Sequence, residues 1–106
     1  MADSAPRLFR VLLVEDEPII RELVRSMLSD GTVEVECAAN GPEGLKLART
    51  QRFDLILLDV VLPQMDGITI CRLLKADPST SSVPLHMLTA KAKSGKPTTS
   101  ANSVRP

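Results

Sequence analysis

The sequence predicts an α/β fold, a parallel β-sheet covered by helices in three layers, and two patterns carry that prediction. Apolar residues run without alternation at 11–14 and at Leu55–Leu58, which is typical of strands buried on both faces of a parallel sheet. Segments with helical spacing of apolar residues separate the strands, so the order is β-α-β-α-β-α-β. Such alternation implies right-handed crossovers.

The first half of this order is a strand, a helix, a second strand and a second helix. A strand over residues 8–14 precedes Pro18, which favours the first turn of a helix, and Asp30-Gly31 ends that helix. A second strand alternates over Val33–Ala38, and Asn40 is expected to cap the second helix. The predicted apolar positions of the two helices are Ile19, Ile20, Leu23, Val24, Met27 and Leu28, then Leu45, Leu47 and Ala48.

The second half adds two strands and one helix. Leu55–Leu58 is the third strand, and Asp66-Gly67 opens a third helix that ends at Asp77-Pro78. Residues 79–82 are expected to form a polar loop before a fourth strand over Val83–Thr89, with a proline tolerated at its start. Further side chains expected to pack are Ile70, Leu73 and Leu74 in the helix, and His86 as a core or edge histidine of the strand.

Composition divides the chain into a domain and a tail. Residues 91–106 hold four basic residues, no acid and one large apolar residue, Val104, too little to offset the entropy of ordering them. We therefore predict a folded domain over residues 7–90 and a polar, basic, disordered tail over 91–106. The 13 basic and 13 acidic residues cancel, and aromatic residues make up 2%, so nucleic acid is not an expected partner.

The cysteines and the hydropathy indicate a cytoplasmic location. Cys37 and Cys71 have no CxxC spacing, and we expect buried, reduced thiols of a reducing compartment. No apolar run approaches the roughly 20 residues that span a bilayer. The first ten residues also lack the charged-then-apolar order of a signal peptide, so no membrane is expected as a partner.

Polar side chains end three of the predicted strands. Glu15-Asp16 follows the first strand, Asp59 the third, and Thr89 the fourth. The carboxyl ends of parallel strands share one edge, where ligands of such sheets bind. Carboxylates at about 4 Å repel by about 4 kcal/mol at an effective dielectric constant of 20, which protonation or a divalent cation would relieve. Oxygen donors suit Mg²⁺, and an aspartate beside a metal can act as a nucleophile.

Each of these residues, taken alone, also has a simpler interpretation. An acid between a strand and a helix often serves only as a turn residue or as a favourable charge at the helix N-terminus, and a threonine such as Thr89 is often a cap. The combination of residues at the same end of three strands favours the site.

Four stretches resemble the receiver domain of two-component response regulators. In the order and spacing of that family, over residues 8–93, they are Val11–Pro18, Asp54–Asp59, Leu62–Gly67 and Met87–Ala90. The resemblance implies the flavodoxin-like, CheY-like fold and a cytoplasmic signalling role. It implies a phosphoacceptor that is not a turnover enzyme, and a sensor histidine kinase or phosphotransfer protein as partner.

The resemblance also implies roles for individual residues. Asp59 would accept the phosphoryl group from a phosphohistidine, and Asp16 and Asp59 would bind Mg²⁺ directly. Glu15 would act on the ion through water, and the backbone carbonyl of Val61 would complete the protein ligands. The hydroxyl of Thr89 would be the switch that turns toward a phosphoryl oxygen.

The chain departs from the family pattern after about Gly95. The family continues with a fourth helix, a fifth strand that ends in an invariant lysine, and a fifth helix. Lys96-Pro97 copies the lysine-proline pair only seven residues after Thr89, so the lysine role is not carried onto it. We expect a receiver truncated after its fourth strand, with an exposed Val83–Leu88 edge that favours self-association.

Two functions remain open from the sequence. The chain is a phosphoacceptor receiver, or it is a truncated receiver that cannot switch and acts as a protein-interaction module or inert fragment. Flavin binding is disfavoured, because Glu15-Asp16-Glu17 would repel the cofactor phosphate. A phosphatase of the haloacid dehalogenase type is disfavoured too, because Val61 stands where its second acid would be.

Overall fold

The computed structural model describes residues 7–88, which form one four-stranded sheet with three helices. The elements follow the predicted order, and the sheet is parallel throughout with strand order β2-β1-β3-β4. Their bounds are β1 Phe9–Val14, α1 Pro18–Leu28, β2 Val33–Ala38, α2 Gly41–Thr50, β3 Leu55–Asp59, α3 Gly67–Ala76 and β4 Leu85–Leu88. The predicted flavodoxin-like architecture is confirmed over these residues.

Strand β1 lies in the middle of the sheet, between β2 and β3. Leu12 pairs with Glu36 on one side and with Ile56 on the other. Residues 11–14 are buried, as expected for a strand covered on both faces. The run of apolar residues that predicted a buried strand therefore belongs to the centre of the sheet.

Helices α2 and α3 share one face of the sheet and form the main core with it. Leu12 and Val14 of β1 pack there with residues of β3 and of both helices. Helix α1 lies on the opposite face, where Nη2 of Arg25 donates to Sγ of Cys37 at 3.0 Å, and Cys37 alternates along β2 with the core residue Ala38. The fold is a three-layer sandwich. None of its described helices exceeds 11 residues, which is too short to cross a bilayer.

Several apolar side chains are less buried than their spacing predicts. Helix α1 has no fully buried residue, and Ile19, Leu23 and Met27 are exposed along one stripe. In α3, Leu73 is exposed while Ile70 and Leu74 are buried. Spacing alone cannot predict how much of a helix its neighbours cover. Cys37 and Cys71 are free thiols, as expected, but only half-buried.

The segment around β4 departs most from the prediction. The strand covers Leu85–Leu88 rather than beginning at Val83, because Pro84 has no N–H to donate to β3. The carbonyl of Pro84 still accepts a hydrogen bond from N of Ile56 at 2.9 Å. The loop before β4 is not wholly exposed to solvent. Thr80 is 1% exposed, and its hydroxyl donates to the Leu74 carbonyl at 2.6 Å. His86 is an exposed residue of the edge strand.

Other strand ends differ from the prediction by one residue. Leu8 precedes β1, and β3 extends to Asp59 instead of ending at Leu58. The predicted tail over 91–106, and with it the predicted domain boundary at residue 90, lies outside the described residues.

Candidate functional site

An acidic cluster occupies the carboxyl edge of the sheet, where β1 and β3 lie side by side. Glu15 and Asp16 directly follow β1, and Asp59 is the last residue of β3. One carboxylate oxygen from each of the three lies within 4.8 Å of the others. Glu15 is 2% and Asp59 0% exposed, whereas Asp16 is half-buried. The parallel sheet thus brings together residues that are more than 40 positions apart in the chain.

Hydrogen bonds from three directions hold the β1–α1 loop at Glu15. Its N–H donates to the carbonyl of Ala38 at 2.9 Å, which continues the pairing of β1 with β2. Its Oε2 accepts from N of Glu17 at 3.0 Å, and its carbonyl accepts from Nη1 of Arg21 at 3.0 Å. The carboxylate of Glu15 is therefore oriented by its own loop.

The β3–α3 loop holds Asp59 in a similar way. Oδ1 of Asp59 accepts from N of Val61 at 3.2 Å, which fixes the carboxylate against the backbone that follows it. The loop closes where N of Gly67 donates to the Val60 carbonyl at 2.9 Å. This hydrogen bond holds the first residue of α3 beside Val60, the residue that follows β3.

The backbone conformation of the β3–α3 loop depends on two residues, Gln64 and Gly67. Gln64 has φ of 69°, a left-handed conformation that is uncommon outside glycine, asparagine and aspartate. A Cβ on Gly67 would clash with the Asp59 carbonyl oxygen and lie 2.8 Å from Cα of Val60. Only a residue without a side chain permits this approach, so Gly67 sets the position of the strand end that carries Asp59.

The donor set at this edge fits a hard divalent cation. The cluster offers only carboxylate oxygens, which Mg²⁺ prefers over nitrogen and sulfur ligands. Two of the three carboxylates are buried, where like charges repel more strongly than in water. A cation would relieve that repulsion.

The structure brings together three of the predicted site residues and leaves one undescribed. Glu15, Asp16 and Asp59 share the cluster, and Val61 lies two residues beyond Asp59 with its N–H on the Asp59 carboxylate. Thr89 lies outside the described residues. Arg21 was not predicted as part of the site, because nothing in the sequence shows that a helix residue reaches back six positions to a loop carbonyl.

The chain resembles proteins of one family over most of its length. Residues 11–102 match the family model of the response regulator receiver domain. The DNA-binding dual master transcriptional regulator RpaA of Synechocystis sp. is 41% identical over 81 residues, which cover 76% of this chain and 34% of that protein. Response regulator PleD of Caulobacter vibrioides is 42% identical over 81 residues, 76% of this chain and 18% of that protein. The chain spans about a third or less of these relatives.

Solved receiver structures share the fold. The receiver domain of a sensor histidine kinase from Pseudomonas aeruginosa PAO1, with a magnesium ion coordinated in its active site cleft, has a TM-score of 0.75 and 35% identity, with 83% of this chain and 72% of that chain covered. Response regulator TrrA from Thermotoga maritima, in complex with Mg²⁺ and BeF, has a TM-score of 0.73 and 32% identity, with 78% and 70% covered.

Proposed function

The chain belongs to the response regulator receiver domain family of two-component signalling, and from this premise we propose that Asp59 is a phosphoacceptor. One observation carries the proposal: Asp59 is fully buried, yet lies in a cluster with Glu15 and Asp16. Three carboxylates held together at the carboxyl edge of a parallel sheet suit a site that binds a cation and a phosphoryl group.

The proposed step is a transfer between two nucleophiles. A carboxylate oxygen of Asp59 attacks phosphorus and forms a P–O bond while the P–N bond of a phosphohistidine breaks. The imidazole leaves with the electron pair of that bond and takes a proton from solvent. The bond from N of Val61 to Oδ1 of Asp59 at 3.2 Å restricts rotation of the carboxylate. The product is an acyl phosphate, which water hydrolyses back to the carboxylate. We propose a stoichiometric phosphoacceptor, not a turnover enzyme.

Glu15, Asp16 and Asp59 would hold the Mg²⁺ ion, with the carbonyl of Val61 as a further proposed ligand. The bound ion supplies positive charge that offsets the carboxylates and the incoming phosphoryl oxygens. The chain's own contribution is to present the acids at one edge, with Glu15 and Asp59 shielded from solvent. We also propose that the hydroxyl of Thr89 is the switch that turns toward a phosphoryl oxygen on Asp59.

The partner in this proposal is a sensor histidine kinase or a phosphotransfer protein that carries the phosphohistidine, in the cytoplasm. The carboxyl edge of the sheet would meet that donor, because Asp59 is there. Self-association through β4 is a second proposed contact. Within residues 7–88, β4 lies at an edge of the sheet and not at the acidic cluster.

Intact-protein mass after incubation with Mg²⁺ and phosphoramidate, whose P–N bond mimics phosphohistidine, tests the proposal. We expect one added phosphoryl group, lost when Mg²⁺ is chelated and lost in Asp59→Asn. The matched control is Asp54→Asn, at the opposite end of β3, where Oδ2 of Asp54 accepts from N of Arg10 at 2.8 Å. Asparagine keeps that acceptor, so this variant should be phosphorylated like the wild type.

An adduct that persists in Asp59→Asn would move the acceptor elsewhere. A folded wild type that takes no phosphoryl group, as judged by cooperative unfolding, would contradict the phosphoacceptor function. That outcome would favour the alternative of a protein-interaction module that cannot switch.

A further inference from the structure

We infer that Arg21 is a positioning residue for the acidic cluster, an inference that rests on the proposed function of that cluster. Arg21 lies in the second turn of α1 and is half-buried. It is not an acid and offers no ligand oxygen from its side chain. Its effect would reach the site through the loop that carries Glu15 and Asp16.

Arg21 bonds to both ends of the three-residue segment Glu15–Glu17. Its Nη1 donates to the carbonyl of Glu15 at 3.0 Å. Its backbone N–H donates to the carbonyl of Glu17 at 2.9 Å. Asp16 lies between these two carbonyls, so one residue holds the backbone on both sides of it. The side-chain bond is the one that a substitution can remove.

The first residues of α1 do not themselves fix the shape of the loop. Glu17 is the N-cap residue of α1, but its side chain makes no capping hydrogen bond. Pro18 has no N–H to contribute. The bond from N of Glu17 to Oε2 of Glu15 at 3.0 Å and the bond from Nη1 of Arg21 to the Glu15 carbonyl are therefore among the contacts that hold the loop. Without the guanidinium, the backbone next to Asp16 gains freedom.

The guanidinium also brings permanent positive charge to an acidic region. A hydrogen bond from a charged donor to a carbonyl is stronger than a neutral one. Arg21 would thus keep Asp16 ready for a cation before the cation arrives.

Three variants separate these effects from a general loss of stability. Arg21→Met removes the charge and the donors while keeping an apolar stem of similar length. Arg21→Lys keeps the charge but not the planar fork. Arg25→Met is the matched control, since Arg25 lies one turn further along α1 and donates to Sγ of Cys37 instead of to the loop.

The first measurement is amide hydrogen exchange of the metal-free protein. We expect several-fold faster exchange at Glu17 in Arg21→Met, an intermediate rate in Arg21→Lys, and the wild-type rate in Arg25→Met. Unchanged exchange at Glu17 in a folded Arg21→Met would overturn the inference. This readout involves no metal and no phosphoryl group, so it decides the inference even if wild-type Asp59 takes no phosphoryl group and the proposed function fails.

The second measurement is Mg²⁺ affinity by titration calorimetry. Loss of a residue that orients a metal ligand commonly weakens affinity by about ten-fold or more, and we expect a dissociation constant about ten-fold higher in Arg21→Met. Saturating Mg²⁺ should restore its phosphorylation rate to nearly the wild-type value, which it could not do for a misfolded chain. A rate that stays low at saturation would contradict a positioning role.

Discussion

At the scale of single residues, Gly67 is the position near the site that tolerates a side chain least. A Cβ there would overlap the Asp59 carbonyl oxygen and the Cα of Val60, and both are backbone atoms that cannot rotate away. A methyl group therefore has to push α3 and the end of β3 apart. Because Asp59 is the last residue of β3, that displacement would move the carboxylate itself.

We expect Gly67→Ala to lower the free energy of unfolding by about 1–3 kcal/mol, the usual cost of overpacking, and to weaken Mg²⁺ binding. Urea unfolding and calorimetry measure the two effects. Gly41→Ala is the control, because its Cβ would meet Cδ1 of Ile70 at 2.6 Å, the movable end of a side chain. A smaller loss in Gly67→Ala than in Gly41→Ala would contradict this account.

Sequence patterns predicted the acids of the site but not the residues that shape it. Glu15, Asp16 and Asp59 could be placed at one edge because each follows an apolar run that ends abruptly. The left-handed φ of Gln64 could not be predicted, because glutamine is not a residue that favours it. The bond from Arg21 to the Glu15 carbonyl depends on a rotamer and on helix orientation, which no spacing records.

At the scale of elements, the helix starts were well predicted because capping is local chemistry. Oδ1 of Asn40 accepts from N of Glu43 at 2.9 Å, which is the predicted cap, and Oε1 of Glu43 accepts from N of Ala39, the residue before the cap, at 3.0 Å. The predicted start of β4 at Val83 was wrong because Pro84 has no N–H to donate to β3. The Thr80 hydroxyl bond to the end of α3 is likewise a tertiary contact that the polar sequence of residues 79–82 conceals.

The cap of α3 gives stability that depends on pH. The N–H of Thr69 bonds to Oδ1 of Asp66 at 2.8 Å, and bonds from the backbone and then the side chain of Thr69 lower the pKa of the Asp66 carboxyl. The folded pKa is therefore below the unfolded value of about 3.9. The ionised form stabilises the fold above that value, and the contribution is lost as pH falls through the folded pKa.

We therefore expect that Asp66→Asn loses less stability than the wild type as the pH falls below the unfolded carboxyl pKa of about 3.9. At neutral pH the variant should differ little from the wild type, because asparagine is as good an N-cap as aspartate. Urea midpoints measured from neutral pH to below that pKa test both statements. Equal slopes for the two proteins would show that the cap does not contribute to the acid response.

At the scale of the whole molecule, metal binding and folding are linked. A ligand that binds only the folded state stabilises it by about 2.7 kcal/mol at one hundred times its dissociation constant. We expect Mg²⁺ to raise the free energy of unfolding of the wild type in this way, and Asp59→Asn to lose most of the rise. Sodium chloride of equal ionic strength is the control for screening. An equal rise with both salts would argue against a specific site.

Strand β4 is the part of the sheet through which we expect copies of the molecule to associate. Within residues 7–88, β4 pairs with β3 alone, and its sequence Leu-His-Met-Leu carries no permanent charge. An apolar edge is a template for another strand. We expect sedimentation equilibrium to show mass that rises with concentration, and His86→Lys to reduce that rise, because His86 is exposed and lysine protects edges. A wild type that stays monomeric at all concentrations would exclude this contact.

The central position of β1 in the sheet also affects the order in which the newly synthesised chain can fold. β1 is synthesised first, but its partner β3 begins only at residue 55. Ribosomes add about 5–20 residues per second, so one edge of β1 waits about 2 to 8 s for its neighbour. Until then only the segment from β1 to α2 can assemble. Asp59 is made seconds after Glu15 and Asp16, so the acidic cluster cannot form until β3 is complete.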